Sequence, residues 1–226
     1  MAIFSELDVW VDTQARSASE NMAIDQLVME SELKCPLIRF YQWRDPAVSF
    51  GYFEKLSDAK RDFPGESLCY VRRWTGGGIV DHRSDQTYSI FLPKGHPVEQ
   101  MRGNLSYAAI HKSLTVSLNA TGMHCKLTED DSDSEARSCF VKPVAFDIVD
   151  ALGRKLAGAG QKRSRYGLLH QGSVQGVTKV ESWQAAFLEA LAEKVVKRDI
   201  SLGELGDVSE LSVERYASAQ WTERRP

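Results

Sequence analysis

The chain's hydrophobic periodicities predict an α/β (α+β) fold, a mixed and largely antiparallel sheet flanked by helices. Two patterns carry that expectation. Short apolar runs of period two are joined by tight turns as well as by helices, and three longer stretches repeat near 3.6 residues. At 226 residues and 42% hydrophobic, the chain can also bury a substantial core. We read residues 1–200 as one main domain and 201–226 as a helical tail packed on it.

Taken in order, Phe4 to Val11 alternates as a strand, and Ser19 to Met29 reads as a capped amphipathic helix with Met22, Leu27 and Met29 toward the core. Leu37 to Gln42 and Ala47 to Phe50 are strands around Arg44-Asp45-Pro46. Cys69 to Arg73 is a strand running into Gly76-Gly77-Gly78, and Thr87 to Leu92 is a strand that Pro93 ends. Asn104 to Leu118 has helical spacing, with His111 and Lys112 expected on its polar face. Glu129 to Glu135 is acidic and reads as an exposed loop. Ala145 to Val149, Lys155 to Ala157 and Leu168 to Val174 are strand candidates. Trp183 to Val196 reads as an amphipathic helix, and Val208 to Tyr216 as a short one. No internal repeat is present.

The formal net charge is −3, from 28 basic and 31 acidic residues, so nothing global favours nucleic-acid or membrane binding. No apolar run approaches the roughly 20 residues that span a bilayer. Four irregularly spaced cysteines without a Cys-x-x-Cys element, and a polar N-terminus without a signal segment, suit a soluble cytoplasmic protein. No histidine pair has the i, i+4 spacing of a helical zinc site, so no structural metal is expected.

Two segments join clustered glycine to clustered positive charge: Arg72-Arg73-Trp74-Thr75-Gly76-Gly77-Gly78 and Gly153-Arg154-Lys155-Leu156-Ala157-Gly158-Ala159-Gly160-Gln161-Lys162-Arg163. Glycine lets backbone approach a ligand, and arginine and lysine bind carboxylate or phosphate oxygens. A small, partly anionic acyl group fits both. A triple glycine also suits a bare turn between strands. Because strand residues alternate, one of Arg72 and Arg73 can reach a ligand while the other braces the outer surface. Neither the phosphate-loop nor the dinucleotide glycine pattern is present.

The same residues resemble the lipoate-protein ligase and octanoyltransferase family. Arg72 to Gly78, Val80 with His82, Lys155 with Gly158 and Gln161, Leu169-His170 and Gly172-Ser173 occur in the family's order. Asn21-Met22-Ala23 with Asp25, Ser49-Phe50-Gly51, and Arg215 to Ser218 with Trp221 extend the likeness over most of the chain. The resemblance implies a biotin/lipoate protein ligase-like catalytic fold, and an enzyme that places octanoyl or lipoyl groups on a lysine of lipoyl-carrier domains. It places Arg72, Arg73, Thr75, Gly76, Gly77, Gly78, His82, Gly158, Gln161, His170 and Gly172 around the acyl or acyl-adenylate group. Lys155 would lie at its carbonyl or activating phosphate, although a solvated strand-end lysine is the plain alternative.

Ser138-Cys139-Phe140, Pro143 and Phe146-Asp147-Ile148-Val149 look like the octanoyltransferases that carry the acyl group on cysteine. A thiol of pKa about 8.5 becomes a better nucleophile beside an ammonium such as that of Lys155. A small buried hydrophobe is the other reading of Cys139. The family likeness then implies acyl carrier protein as donor, and lipoyl domains of 2-oxoacid dehydrogenases or the glycine cleavage H protein as acceptors, with no cofactor. The alternative is a lipoate-protein ligase using ATP and magnesium, and a third reading is a non-catalytic acyl-binding member. The chain departs from the ligases in His82-Arg83 followed by Asp85-Gln86, which exchanges charge beside the expected pocket. A basic patch of Arg154, Lys162, Arg163 and Arg165 is a candidate docking face for acidic carriers.

Overall fold

The computed structural model describes residues 2–128 and 144–224, so Cys139 and the acidic stretch from Glu129 to Glu135 lie outside the described residues. Along the chain run β1 (Phe4–Val11), α1 (Ala18–Glu30), β2 (Leu37–Tyr41), β3 (Ala47–Phe50), α2 (Leu56–Asp62), β4 (Cys69–Arg72), β5 (Ile79–Asp81) and β6 (Asp85–Pro93). They are followed by α3 (Pro97–Gln100), α4 (Gly103–Ala120), β7 (Cys125–Leu127), β8 (Ile148–Asp150), β9 (Lys155–Ser164), β10 (Gly167–Gln175), α5 (Val180–Leu191) and β11 (Ala192–Lys197). The last elements are α6 (Leu202–Leu205), α7 (Val208–Leu211), a short π-helix (Ser212–Tyr216) and α8 (Ala219–Thr222).

Among the described residues, eight strands form one sheet in the order β11-β1-β2-β6-β10-β9-β8-β7. Pairing is parallel for β11 with β1 and β1 with β2, and antiparallel across the remainder. A smaller sheet, β4-β3-β5, carries the glycine loop between β4 and β5. The two-residue alternation predicted from sequence sorts side chains between the two faces of the large sheet. Ile38, Phe40, Tyr88, Ile90 and Leu168 pack against α4 and α5 with Trp183 and Phe187. Leu37, Phe91 and Leu169 pack against α1, where Val208, Tyr216 and Trp221 of the C-terminal segment join the same core. Each such buried large apolar side chain contributes about 2 kcal/mol.

Helix α1 starts where the sequence supplies a capping box. The Glu20 N–H donates to Ser17 Oγ at 3.3 Å, and the Ser17 N–H to Glu20 Oε2 at 2.8 Å. The C-terminal segment is stitched to β4 by Arg72, whose guanidinium donates to the carbonyls of Tyr52, Glu54, Trp221, Thr222 and Arg224.

Three expectations change. The helix expected from Trp183 to Val196 stops at Leu191, and residues 192–197 form β11. Trp183, Phe187, Leu191 and Val195 keep a four-residue spacing, so the sequence looks helical throughout. The free edge of β1 instead draws Ala192 to Lys197 into a parallel ladder. Ala145 to Val149 is extended only from Ile148, because Phe146 turns the chain with a φ of 69°. His111, expected on the polar face of α4, is fully buried.

Candidate active site

The glycine loop, the start of β9 and the middle of β10 enclose a narrow cavity of about 40 Å³. Arg73, His82 and Lys155 line it, with Met22, Trp43 and Ile79 among its apolar walls. Gly78, Gly158 and Gly172 bring backbone to its surface. Among the described residues that line it there is no carboxylate. Such a lining suits a chain-like apolar body with an oxygen-rich head.

Arg73 reaches the cavity because β4 ends at Arg72 and the next side chain falls on the opposite face. Its Nη1 donates to Ser49 Oγ at 2.7 Å, and Nη2 to the carbonyls of Gly78 at 2.6 Å and Gly76 at 3.3 Å. Gly77 takes a φ of 85°, which turns the loop back over Arg73. Among the described residues, the N–H groups of Gly77 and Gly78 have no hydrogen-bond partner.

Lys155 comes from the start of β9. Its Nζ pairs with Asp147 Oδ2 at 2.7 Å, and both side chains are buried. Asp147 is held in turn by the Tyr107 hydroxyl at 2.5 Å and the Val144 N–H at 2.8 Å. Gly158 makes room for the lysine, since a Cβ there would lie 2.5 Å from Lys155 Cε. The carbonyl of the turned residue Phe146 accepts from His111 Nδ1 at 2.7 Å. Burial pushes the His111 imidazole down to about 4, so it stays neutral, and burial with the neighbouring His111 holds His170 well below its ordinary value.

His82 stacks on Trp43, with centroids 4.1 Å apart and planes at 21°. Its Nε2 meets Ser49 Oγ at 2.6 Å and its Nδ1 meets Asp85 Oδ2 at 2.7 Å. A second buried network supports the loop from behind. Thr75 Oγ1 donates to Gln171 Oε1 at 2.8 Å, and Gln171 Nε2 to Asp25 Oδ2 at 2.7 Å. Arg39 on β2 completes that network by pairing with both Asp25 and Asp12. Burial alone would raise the Asp12 carboxyl, but hydrogen bonds and charge from Arg16 and Arg39 bring it below its usual value.

Of the sequence candidates, Arg73, Gly78, His82, Lys155, Gly158 and Gly172 line the cavity, whereas Arg72, Thr75, Gly76, Gly77, Gln161 and His170 do not. Arg72 is spent on the C-terminal segment. Gln161 and His170 are cross-strand partners on the α4 side of the sheet. There Gln161 Nε2 donates to His170 Nδ1 at 3.0 Å, and the His170 ring lies 5.5 Å from that of His111. Nor does the charge exchange after His82 alter the pocket in the expected way. Arg83 is exposed on a bidentate pair with Asp81, and the Asp85 side chain is buried against His82. The expected docking patch is partly consumed: Arg163 donates to the carbonyls of Glu99 and Met101, and Arg154 pairs with Asp150. Ser49, Asp85 and Asp147 were not singled out as site residues. Ser49 and Asp147 stood inside motif segments, but a lone serine or carboxylate carries no signal until its partners are placed.

Residues 17–214 match the model of the lipoyl protein ligase A/B catalytic domain. The chain belongs to that family. It is 33% identical over 180 residues to octanoyltransferase LipM of Oceanobacillus iheyensis, a match covering 76% of this chain and 65% of that protein. With octanoyltransferase LipM of Bacillus anthracis it shares 30% identity over 218 residues, covering 88% and 78%. The fold is that of lipoate-protein ligases. A lipoate-protein ligase A solved with ATP superimposes with a TM-score of 0.72 at 17% identity, covering 100% of both chains. A T. acidophilum protein solved with lipoic acid gives 0.74 at 17%, covering 99% and 100%. No helix among the described residues is long and apolar enough to cross a membrane.

Proposed function

We propose that this protein is an acyltransferase that moves an octanoyl or lipoyl group from acyl carrier protein, through a thioester on Cys139, to a lysine of a lipoyl-carrier domain. One observation carries the reading: Arg73 and Lys155, from distant stretches of chain, line a single apolar-walled cavity that has no carboxylate among its described lining residues. The family membership and the name of the LipM relatives support the same chemistry.

In this reading the acyl chain lies along Met22, Trp43 and Ile79. Its carbonyl oxygen meets Lys155 or the N–H of Gly78, donors that gain strength as the oxygen becomes an oxyanion. Asp147 keeps the lysine pointed at the carbonyl. The incoming carrier lysine attacks the acyl carbon, the C–N bond forms, and Cys139 leaves as the thiol. A lipoate-protein ligase working through ATP and magnesium is the second reading, because two cations and unpaired N–H groups would also hold a phosphate.

The test is incubation with octanoyl-loaded carrier protein and apo lipoyl domain without ATP, followed by intact-mass analysis. An octanoyl adduct on Cys139 and an acylated lipoyl domain are expected. Transfer that survives Cys139→Ala, or that occurs only with ATP, would overturn the thioester route.

A further inference from the structure

We propose that Ser49, His82 and Asp85 form a proton-accepting relay for acyl transfer, with the Ser49 hydroxyl as the group that meets the attacking amine. The inference rests on the reading that acyl transfer takes place in this cavity. Its own basis is a hydrogen-bond chain whose direction, for a neutral imidazole, is set by a guanidinium at one end and a carboxylate at the other. A guanidinium can only donate, so Ser49 Oγ accepts from Arg73 Nη1 at 2.7 Å. With the imidazole neutral, the single serine proton lies along the 2.6 Å contact to His82 Nε2. A carboxylate oxygen only accepts, so His82 Nδ1 donates to Asp85 Oδ2 at 2.7 Å, and in the neutral ring this leaves Nε2 as the acceptor.

The chain therefore ends on a nitrogen ready to take one more proton. Asp85 is anchored for that task by the hydroxyls of Ser173 at 2.6 Å and Thr87 at 3.1 Å. Thr87 is itself fixed by Trp43 Nε1 at 2.8 Å. The second Asp85 oxygen is buried with no hydrogen-bond partner among the described residues. The charged and titratable groups facing His82 are Asp85 on β6, Arg73 after β4, Lys155 on β9, Tyr41 on β2 and Asp81 on β5. The Asp81 carboxylate is already taken by Arg83.

A carrier lysine, with a pKa of about 10.4, arrives as an ammonium at neutral pH. In the relay its proton passes to Ser49 Oγ while the serine proton moves to His82 Nε2. The free amine then attacks the acyl carbon, the C–N bond forms and the C–S bond breaks. The second N–H proton leaves with the sulfur as a thiol, and the imidazolium returns its proton to solvent.

The test compares two nucleophiles with octanoyl-loaded carrier protein as donor. One is the lysine of a lipoyl domain. The other is hydroxylamine, which is neutral at pH 7 and needs no such base. His82→Gln should lower kcat for the lysine about 100-fold and leave hydroxylamine acylation within about threefold. Raising the pH should restore lysine transfer in the variant. Ser49→Ala should behave like His82→Gln, and Ser49→Thr should recover. Undiminished lysine transfer in His82→Gln, or an equal loss with both nucleophiles, would overturn the relay. No transfer to either nucleophile by the unsubstituted protein would overturn the acyltransferase reading and the relay with it.

Discussion

Asp147 and Lys155 are joined by a 2.7 Å ion pair whose carboxylate is wholly buried, at the point where β9 enters the cavity. The carboxylate is reached only through the turn at Phe146, a non-glycine residue at positive φ. Such a conformation costs about 1 kcal/mol or more and persists when its surroundings hold it. Here His111 holds the Phe146 carbonyl, and Tyr107 holds Asp147. The lysine's aim is therefore set by several buried partners.

Replacing Asp147 removes the buried carboxylate that faces the Lys155 ammonium at 2.7 Å. Asp147→Asn should destabilise the fold by about 3 kcal/mol and lower acyl transfer at least tenfold. Urea denaturation and steady-state transfer rates measure the two effects. Unchanged turnover would show that Lys155 needs no carboxylate to hold it.

Gly158 leaves the space that the ion pair occupies. The methyl of Gly158→Ala would lie 2.5 Å from Lys155 Cε, 2.7 Å from its Nζ and 3.0 Å from Asp147 Oδ1, so it presses on both members of the ion pair. We expect a loss of stability of about 1–3 kcal/mol together with a clear loss of kcat. A variant that unfolds but turns over normally at low temperature would contradict this.

Adjacent arginines should give opposite phenotypes. Arg72→Leu removes five contacts to carbonyls and should cost about 3 kcal/mol, with faster proteolysis after Trp221. Its transfer rate while folded should stay near that of the unsubstituted protein. Arg73→Leu should cut transfer instead, because that side chain lines the cavity. Equal catalytic defects in the two variants would show that the C-terminal segment shapes the site.

Acid stability should follow His111 and His170. Both are neutral in the fold because burial lowers them, His111 from 6.5 to about 4. Between those values the unfolded chain binds the extra proton, so stability is full above about pH 6.5 and falls as the pH drops toward 4. For His111 alone the loss is about 3 kcal/mol at the acid end. Urea midpoints across this range should flatten in His111→Asn. An unchanged slope would remove His111 as the cause.

Much of the sheet was legible because strand alternation and turn residues are local. Phe4 to Val11 and Ala47 to Phe50 need no distant partner to be recognised. The failures share another cause. Val195 continues the spacing of Trp183, Phe187 and Leu191, and only the open edge of β1 makes it a strand. His111 has a polar side chain on a helix, and only the carbonyl of Phe146 explains its burial.

The amino-acid order by itself determined that glycine and positive charge are gathered in two segments, and that one of Arg72 and Arg73 must face away from the other. Tertiary structure decided which one enters the cavity. It also turned Gln161 and His170 to the far side of the sheet and brought Ser49, His82 and Asp85 into one chain. The physical reason is that periodicity fixes relative faces within a strand, whereas the choice of inner face and the partner of each polar group depend on packing between segments far apart in sequence.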